Sequence, residues 1–233
     1  MQKLGDFKLP HFFNYPPYFT LQPVRDIREK QIQLWKELIL EYCRFQKIFV
    51  VGLEEDFPLF SNTVIERFLS HEAREAFLSA VVSEGSFFFL NFILFLISLS
   101  LSLSIYIYIY LHSYIYTCFI YIHTYNINEY LVPFLLLTGR GEWLDKGHRK
   151  CLILWHRIQE WADIVLNFVK DNGLEDSVMT VEEIRSGIES RGTELHGIDR
   201  TILMRALKLL EQKGKLAIFK GSSADDEGVK FSL

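Results

Sequence analysis

The sequence predicts an α+β protein made of two copies of one small unit, helices followed by a two-stranded hairpin. An apolar insertion interrupts the first copy. Three observations lead there. The C-terminal half of the unit recurs at a fixed offset, amphipathic helical stripes precede both copies, and one long window loses almost all its charge.

The elements follow in chain order. Residues 1–13 contain no apolar run closed by small residues, which argues against a secretory signal. Gly5 is not next to the initiator Met, so the N-myristoylation pattern is absent. Residues 11–23, HFFNYPPYFTLQP, hold five aromatics and three prolines. Pro16 and Pro17 fix φ and lack N–H groups, so an extended polyproline segment with exposed rings is expected. Such a segment suits docking into a partner's groove; the alternative is that the rings fold back on the first domain.

Residues 26–47 carry Ile32, Trp35, Leu38, Ile39 and Tyr42 on one helical stripe. The repeat then aligns Gly85 with Gly214, which pairs Ala73 with Ile202, Leu78 with Leu207 and Val81 with Leu210. Past the glycines, Trp143-Leu144 matches Ile218-Phe219. Each copy reads as a helix closed by Gly, then two short strands around a polar turn, at residues 145–150 and 221–228. Residues 158–173 form another amphipathic helix on Trp161, Ile164, Val165 and Phe168, ending at Gly173. Residues 179–192 open with Thr180 three before Glu183, a capping box. Helix, helix, helix and two-stranded wing is the winged-helix arrangement. The expected layout is a docking segment over 1–24, a first winged-helix domain over 25–155 and a second over 156–233.

Residues 86–138 are different. Their only formal charge is Glu129, and eight of the eleven tyrosines fall there. A membrane span over 87–111 has the required ~20 apolar residues. A strand would fit the period of two but is too long. A retained intron explains more. Alternating Ser-Leu and Tyr-Ile are what dinucleotide repeats encode, and Gly85 and Thr138-Gly139 allow donor and acceptor sites. Excision would remove 54 codons in frame and leave 233 − 54 = 179 residues. The segment is expected outside both cores. It is also expected to pull the first wing off its helix, so that removing it stabilises the protein and restores the strand pair.

The rest excludes function classes. A net charge of −4 gives no general basic field. Cys43, Cys118 and Cys151 form no C-x-x-C, so neither a disulfide framework nor a zinc knuckle is expected, and a reducing, cytoplasmic compartment is. Cys151 reads as a small core residue. His11, His71, His112, His123, His148, His156 and His196 fit no metalloprotease motif, and there is no P-loop or nucleophile elbow. No catalytic residue, metal or cofactor is expected. The helix over 199–213 sets Arg200, Arg205, Lys208 and Lys213 against Asp199 and Glu211, and the wing tip carries Asp225, Asp226 and Glu227. Residues 151–233 hold 11 basic and 14 acidic side chains, which disfavours DNA.

Motifs across both domains resemble a known family: PPYFTLQP at 16–23, EWLDK at 142–146, EW at 160–161, HGID at 196–199 and GVKF at 228–231. The chain is similar to the small tandem winged-helix subunit of the ESCRT-II endosomal sorting complex, in the vacuolar protein sorting family. Members have no insertion before EWLDK. The resemblance implies a non-enzymatic scaffold present in two copies per complex. Pro16, Pro17, Tyr18 and Phe19 would dock on the two larger winged-helix ESCRT-II subunits, making a Y-shaped tetramer. The second domain would hold a myristoylated ESCRT-III subunit, in sorting of ubiquitinated cargo to multivesicular bodies. The protein would be cytoplasmic and reach the endosomal membrane through the complex, with no nucleic acid involved. On that second domain, the face around Thr201, Arg205, Lys208 and residues 215–220 offers cations to an acidic partner helix. The alternatives are a winged-helix nucleic-acid-binding regulator and a single-span membrane protein using 87–111.

Overall fold

The computed structural model describes residues 3–82, 140–219 and 227–232. A short hairpin comes first, β1 (Lys3–Leu4) and β2 (Phe7–Lys8), turning at Gly5 with φ 61°. Two 3-10 turns follow, His11–Asn14 and Pro16–Phe19. Helix α1 (Arg25–Gln46) ends on Lys47 in the left-handed conformation. Then come β3 (Val50–Gly52), a 3-10 turn (Pro58–Phe60), the hairpin β4 (Ser61–Asn62) and β5 (Arg67–Phe68), and α2 (His71–Val82). Strands β6 (Gly141–Trp143) and β7 (Lys150–Ile153) close the first domain. The second has α3 (Ile158–Asp171), β8 (Val178–Thr180), α4 (Val181–Ser186), α5 (Arg200–Gln212), β9 (Leu216–Phe219) and β10 (Gly228–Phe231).

The two three-stranded sheets have the same topology. Their strand orders are β3-β7-β6 and β8-β10-β9, antiparallel throughout. In each, the first strand pairs with the last and the wing hairpin completes the sheet. This is a winged helix made twice. The repeat pairs occupy equivalent places: Ala73, Leu78, Val81, Ile202, Leu207 and Leu210 are all fully buried, and Leu144 and Phe219 are both half exposed. The α1 stripe is buried at Trp35, Leu38, Ile39 and Tyr42, and the α3 stripe at Trp161, Val165 and Phe168. Thr180 caps α4 as expected, with Glu183 N donating to Thr180 Oγ1 (3.1 Å) and Thr180 N donating to Glu183 Oε2 (2.6 Å). Cys151 is buried in β7, and burial pushes its thiol up to about 12.

Four expectations are corrected. Each unit has a three-stranded sheet where two strands are expected, because its first strand, β3 or β8, is too short for a period of two to show. The helix expected over 179–192 is only Val181–Ser186: Met179 and Thr180 belong to β8, and Gly187 sits so close to the Glu183 carbonyl that a Cβ would meet it at 2.3 Å. In the first domain the middle helix is replaced by the Pro58–Phe60 turn and the β4–β5 hairpin. Pro58 opens that turn at the position where no N–H is needed.

The fourth concerns the insertion. The expectation that it would pull the wing from its helix is not met. Arg140 N donates to the Val81 carbonyl (3.1 Å), so the chain returns to the end of α2. Strand β6 lies so close to the helix that a Cβ on Gly141 would meet Val81 Cγ1 at 3.0 Å. β6 and β7 are fully paired. Whether the segment lies outside both cores, and its assignment as span or intron product, fall outside the described residues. So does most of the second wing tip, including Asp225 and Asp226.

A clasp joins the domains. Phe49 and Trp155 rings pack at 4.3 Å, and Trp155 meets Trp161 at 6.0 Å. Glu194 bonds both Arg44 of α1 and His156, and Lys47 Nζ donates to the His196 carbonyl (2.6 Å). Burial raises the Glu194 carboxyl, but the bonds from Arg44 and His156 outweigh it and hold it below its ordinary value. A carboxylate depressed in the folded state contributes stability above its unfolded value of about 4, lost as pH falls through the folded value. Below about pH 4 the two domains should therefore loosen, and Glu194→Gln should remove that pH dependence. Small-angle scattering against pH checks both; a wild-type profile that matches Glu194→Gln throughout the acid range would refute the role of Glu194 in the clasp.

Candidate functional site

The segment expected to be extended is instead two consecutive 3-10 turns, and its rings are divided between two sides. Tyr15 is extended, as a residue before proline should be, and Pro16 and Pro17 supply the first positions of the second turn. Tyr18 N donates to Tyr15 O (3.0 Å) and Thr20 N to Pro17 O (3.3 Å). The expected extended polyproline conformation is thus corrected: proline's missing donor costs nothing in a first turn.

Phe13 and Phe19 point inward. Phe19 is 2% exposed and meets Trp35 edge-on at 5.3 Å and Phe13 at 5.2 Å. Trp35 in turn stacks on Phe77 of α2 at 5.1 Å. The expectation that Phe19 is an exposed docking ring is corrected, because it fills the first domain's own core. Tyr15, Pro16 and Pro17 point outward, and Tyr18 is half-buried against Phe12 and Tyr15.

Buried polar groups bolt this segment down. Gln31 of α1 is buried; its Nε2 donates to the Tyr18 and Thr20 carbonyls (both 2.9 Å) and its Oε1 accepts from Gln22 N (3.1 Å). Trp35 Nε1 donates to Tyr18 O (2.8 Å). Gln22 Nε2 donates to Pro17 O (2.8 Å), and Asn62 Nδ2 to Phe13 O (2.7 Å). Side-chain donors thus hold the carbonyls of Phe13, Pro17, Tyr18 and Thr20, so the outward face of residues 15–18 is fixed in advance. Gln31 and Asn62 were not anticipated. Gln31 had a signal: it lies four before Trp35 and seven before Leu38, a polar residue on an apolar stripe.

The second predicted face lies on α5. Thr201 and Lys208 are exposed and Arg205 is half-buried, all on one stripe. The helix starts at Asp199, whose Oδ1 accepts from Thr201 N (2.8 Å) and Ile202 N (3.3 Å). Arg205 is not an unengaged cation: it pairs with Glu142 of β6, across the domain boundary. Arg200 pairs with Glu227 (2.7 Å), and Lys213 donates to Gln159 (2.8 Å). Of the four cations on this helix and its C-cap, Lys208 alone makes no ion pair or hydrogen bond among the described residues. With so few cations available, phosphate tracking has little to work with. No cluster of ligating side chains suits a metal among the described residues, and no helix there is long and apolar enough to cross a membrane.

The class that the fold defines is a tandem winged-helix protein, here with a Pro-aromatic face at residues 15–18 held in place by its own first domain. The model of one family, the ESCRT-II complex subunits, matches residues 12–124 and 121–199. The chain is 65% identical to vacuolar protein sorting-associated protein 25 of Arabidopsis thaliana, over all of both chains. It is 30% identical to vacuolar protein-sorting-associated protein 25 of Xenopus laevis, over 97% of this chain and 98% of the other. The fold matches subunit VPS25 of the endosomal trafficking complex ESCRT-II with a TM-score of 0.63 at 19% identity, covering 96% of this chain and 98% of that one. A VPS22/VPS25/VPS36 ESCRT-II structure includes a chain that matches with a TM-score of 0.58 at 20% identity, over 95% and 98%. The chain belongs to the ESCRT-II complex subunit family.

Proposed function

We propose that this chain is a non-enzymatic scaffold subunit of ESCRT-II that docks on the complex's two larger winged-helix subunits through the outward face of Tyr15, Pro16, Pro17 and Tyr18. The observation that carries this reading is the fixed, uncharged Pro-aromatic face, whose backbone is held by Gln31, Trp35, Gln22 and Asn62. A preformed face loses little entropy on binding, and exposed aromatics make good anchors. Phe19 supports the face from inside. Coexpression of the full chain with the two larger subunits, followed by native mass spectrometry, tests it. Two copies per complex are expected; a complex that assembles without this chain would overturn the reading.

The second domain, in this reading, links the complex to a myristoylated ESCRT-III subunit at endosomes, in sorting of ubiquitinated cargo to multivesicular bodies. An acidic helix would lie along Thr201, Arg205 and Lys208. It would meet Lys208 directly and take Arg205 from Glu142. Charge reversal at both residues should weaken binding more at low salt than at high salt, and leave assembly with the larger subunits unchanged. Wild-type binding by Arg205→Glu/Lys208→Glu in a salt titration would move the site elsewhere. Residues 86–138 are, in this reading, the product of a retained intron.

A further inference from the structure

We propose that the docking face continues past Tyr18 onto the β4–β5 hairpin, where Val64 and Phe68 form a second apolar anchor for the same ESCRT-II partner subunit. This rests on the docking reading above. Phe68 is 73% exposed, Val64 69% and Tyr15 59%, the first two being large apolar exposures for so short an element. β5 packs beside the Pro16–Phe19 turn, so the three side chains belong to adjoining surface.

The hairpin is not a loose loop that could fold these side chains away. Asn62, 2% exposed, binds in both directions: its Nδ2 donates to Phe13 O (2.7 Å) and Asn14 Oδ1 (3.1 Å), and its Oδ1 accepts from Val64 N (3.0 Å). The turn closes on Glu66 at φ 51°, and Leu69 N donates to Phe60 O (2.8 Å). Asn62 and Arg67 are register partners, as are Ser61 and Phe68. Alternation along the strands therefore puts Phe68 on the face opposite the buried Asn62. One side chain thus locks the hairpin to the segment that carries Tyr15.

The occupant follows from continuity and charge. Residues 12–24 carry no charged side chain, and the hairpin adds one of each sign, Glu66 and Arg67. A surface so poor in cations suits an apolar, uncharged protein surface and not an anionic lipid headgroup layer. The hairpin stands where the winged-helix pattern has its second helix, so the fold uses this position to present side chains outward.

Isothermal titration of the full chain against the two larger subunits tests this, with Val64→Ser/Phe68→Ser beside Tyr15→Ala/Pro17→Ala. The hairpin variant should lose affinity at least tenfold with an unchanged melting temperature, since both residues are exposed. If Tyr15→Ala/Pro17→Ala weakens binding and the hairpin variant binds as wild type, the extension fails and the docking reading stands. If Tyr15→Ala/Pro17→Ala binds as wild type, the docking reading fails and takes the extension with it. If instead the isolated wild-type chain self-associates and Val64→Ser/Phe68→Ser abolishes this, the occupant is a second copy and the proposal is overturned.

Discussion

Phe19→Ala is expected to lower the stability of the isolated chain by about 3 kcal/mol. The ring is buried between Trp35 and Phe13, and truncating a buried phenylalanine loses its transfer free energy and leaves a cavity. Trp35 would also lose an edge contact while its stack on Phe77 remains. Chemical denaturation should show a lower midpoint with an unchanged slope. Tyr15→Ala should leave the midpoint within about 0.5 kcal/mol of wild type, because that ring is exposed. The two substitutions lie in one segment, and only the first should destabilise. Equal stability of Phe19→Ala and wild type would mean that the ring is not part of the core.

Deleting the insertion should raise stability through chain-closure entropy alone. Residues 83–139, 57 in number, now connect Val82 to Arg140; removing 54 leaves 57 − 54 = 3. The ends already meet, through the bond from Arg140 N to Val81 O, so no element has to move. Loop closure costs about 0.6 kcal/mol per doubling of length, and four doublings give about 2 kcal/mol in favour of the 179-residue form. Amide exchange should show β6 and β7 protected in both forms, because the strand pair exists in the long chain. Equal stability of the two forms, or a β6–β7 pair protected only in the short one, would contradict this account.

Much of this fold is legible in the sequence, for identifiable reasons. The repeat register works because Ala73, Leu78 and Val81 face one core as Ile202, Leu207 and Leu210 face the other. Long stripes, the Thr180 cap and the glycines after α3 and α5 show because each is a local signal. β3 and β8 do not show, since three residues carry no usable period. The hairpin at residues 61–68 does not show because it replaces a helix that the pattern leads one to expect. In the Pro-aromatic segment, composition marks where the rings gather but not which side each one takes. Which of Tyr18 and Phe19 turns inward depends on the 3-10 geometry that Pro16 and Pro17 begin and on the carbonyls that Gln31 and Trp35 hold. Arg205 shows the same limit: its partner, Glu142, is 63 residues away and in the other domain.

The central claim is that the chain meets its larger partners through the outward face of residues 15–18. Site-specific photo-crosslinking in the reconstituted complex tests it most directly. A benzophenone side chain placed at Tyr15 should crosslink to the larger subunits, and the same group at Lys208, on the exposed side of α5, should not. Crosslinks to the larger subunits from Lys208, with none from Tyr15, would contradict the account.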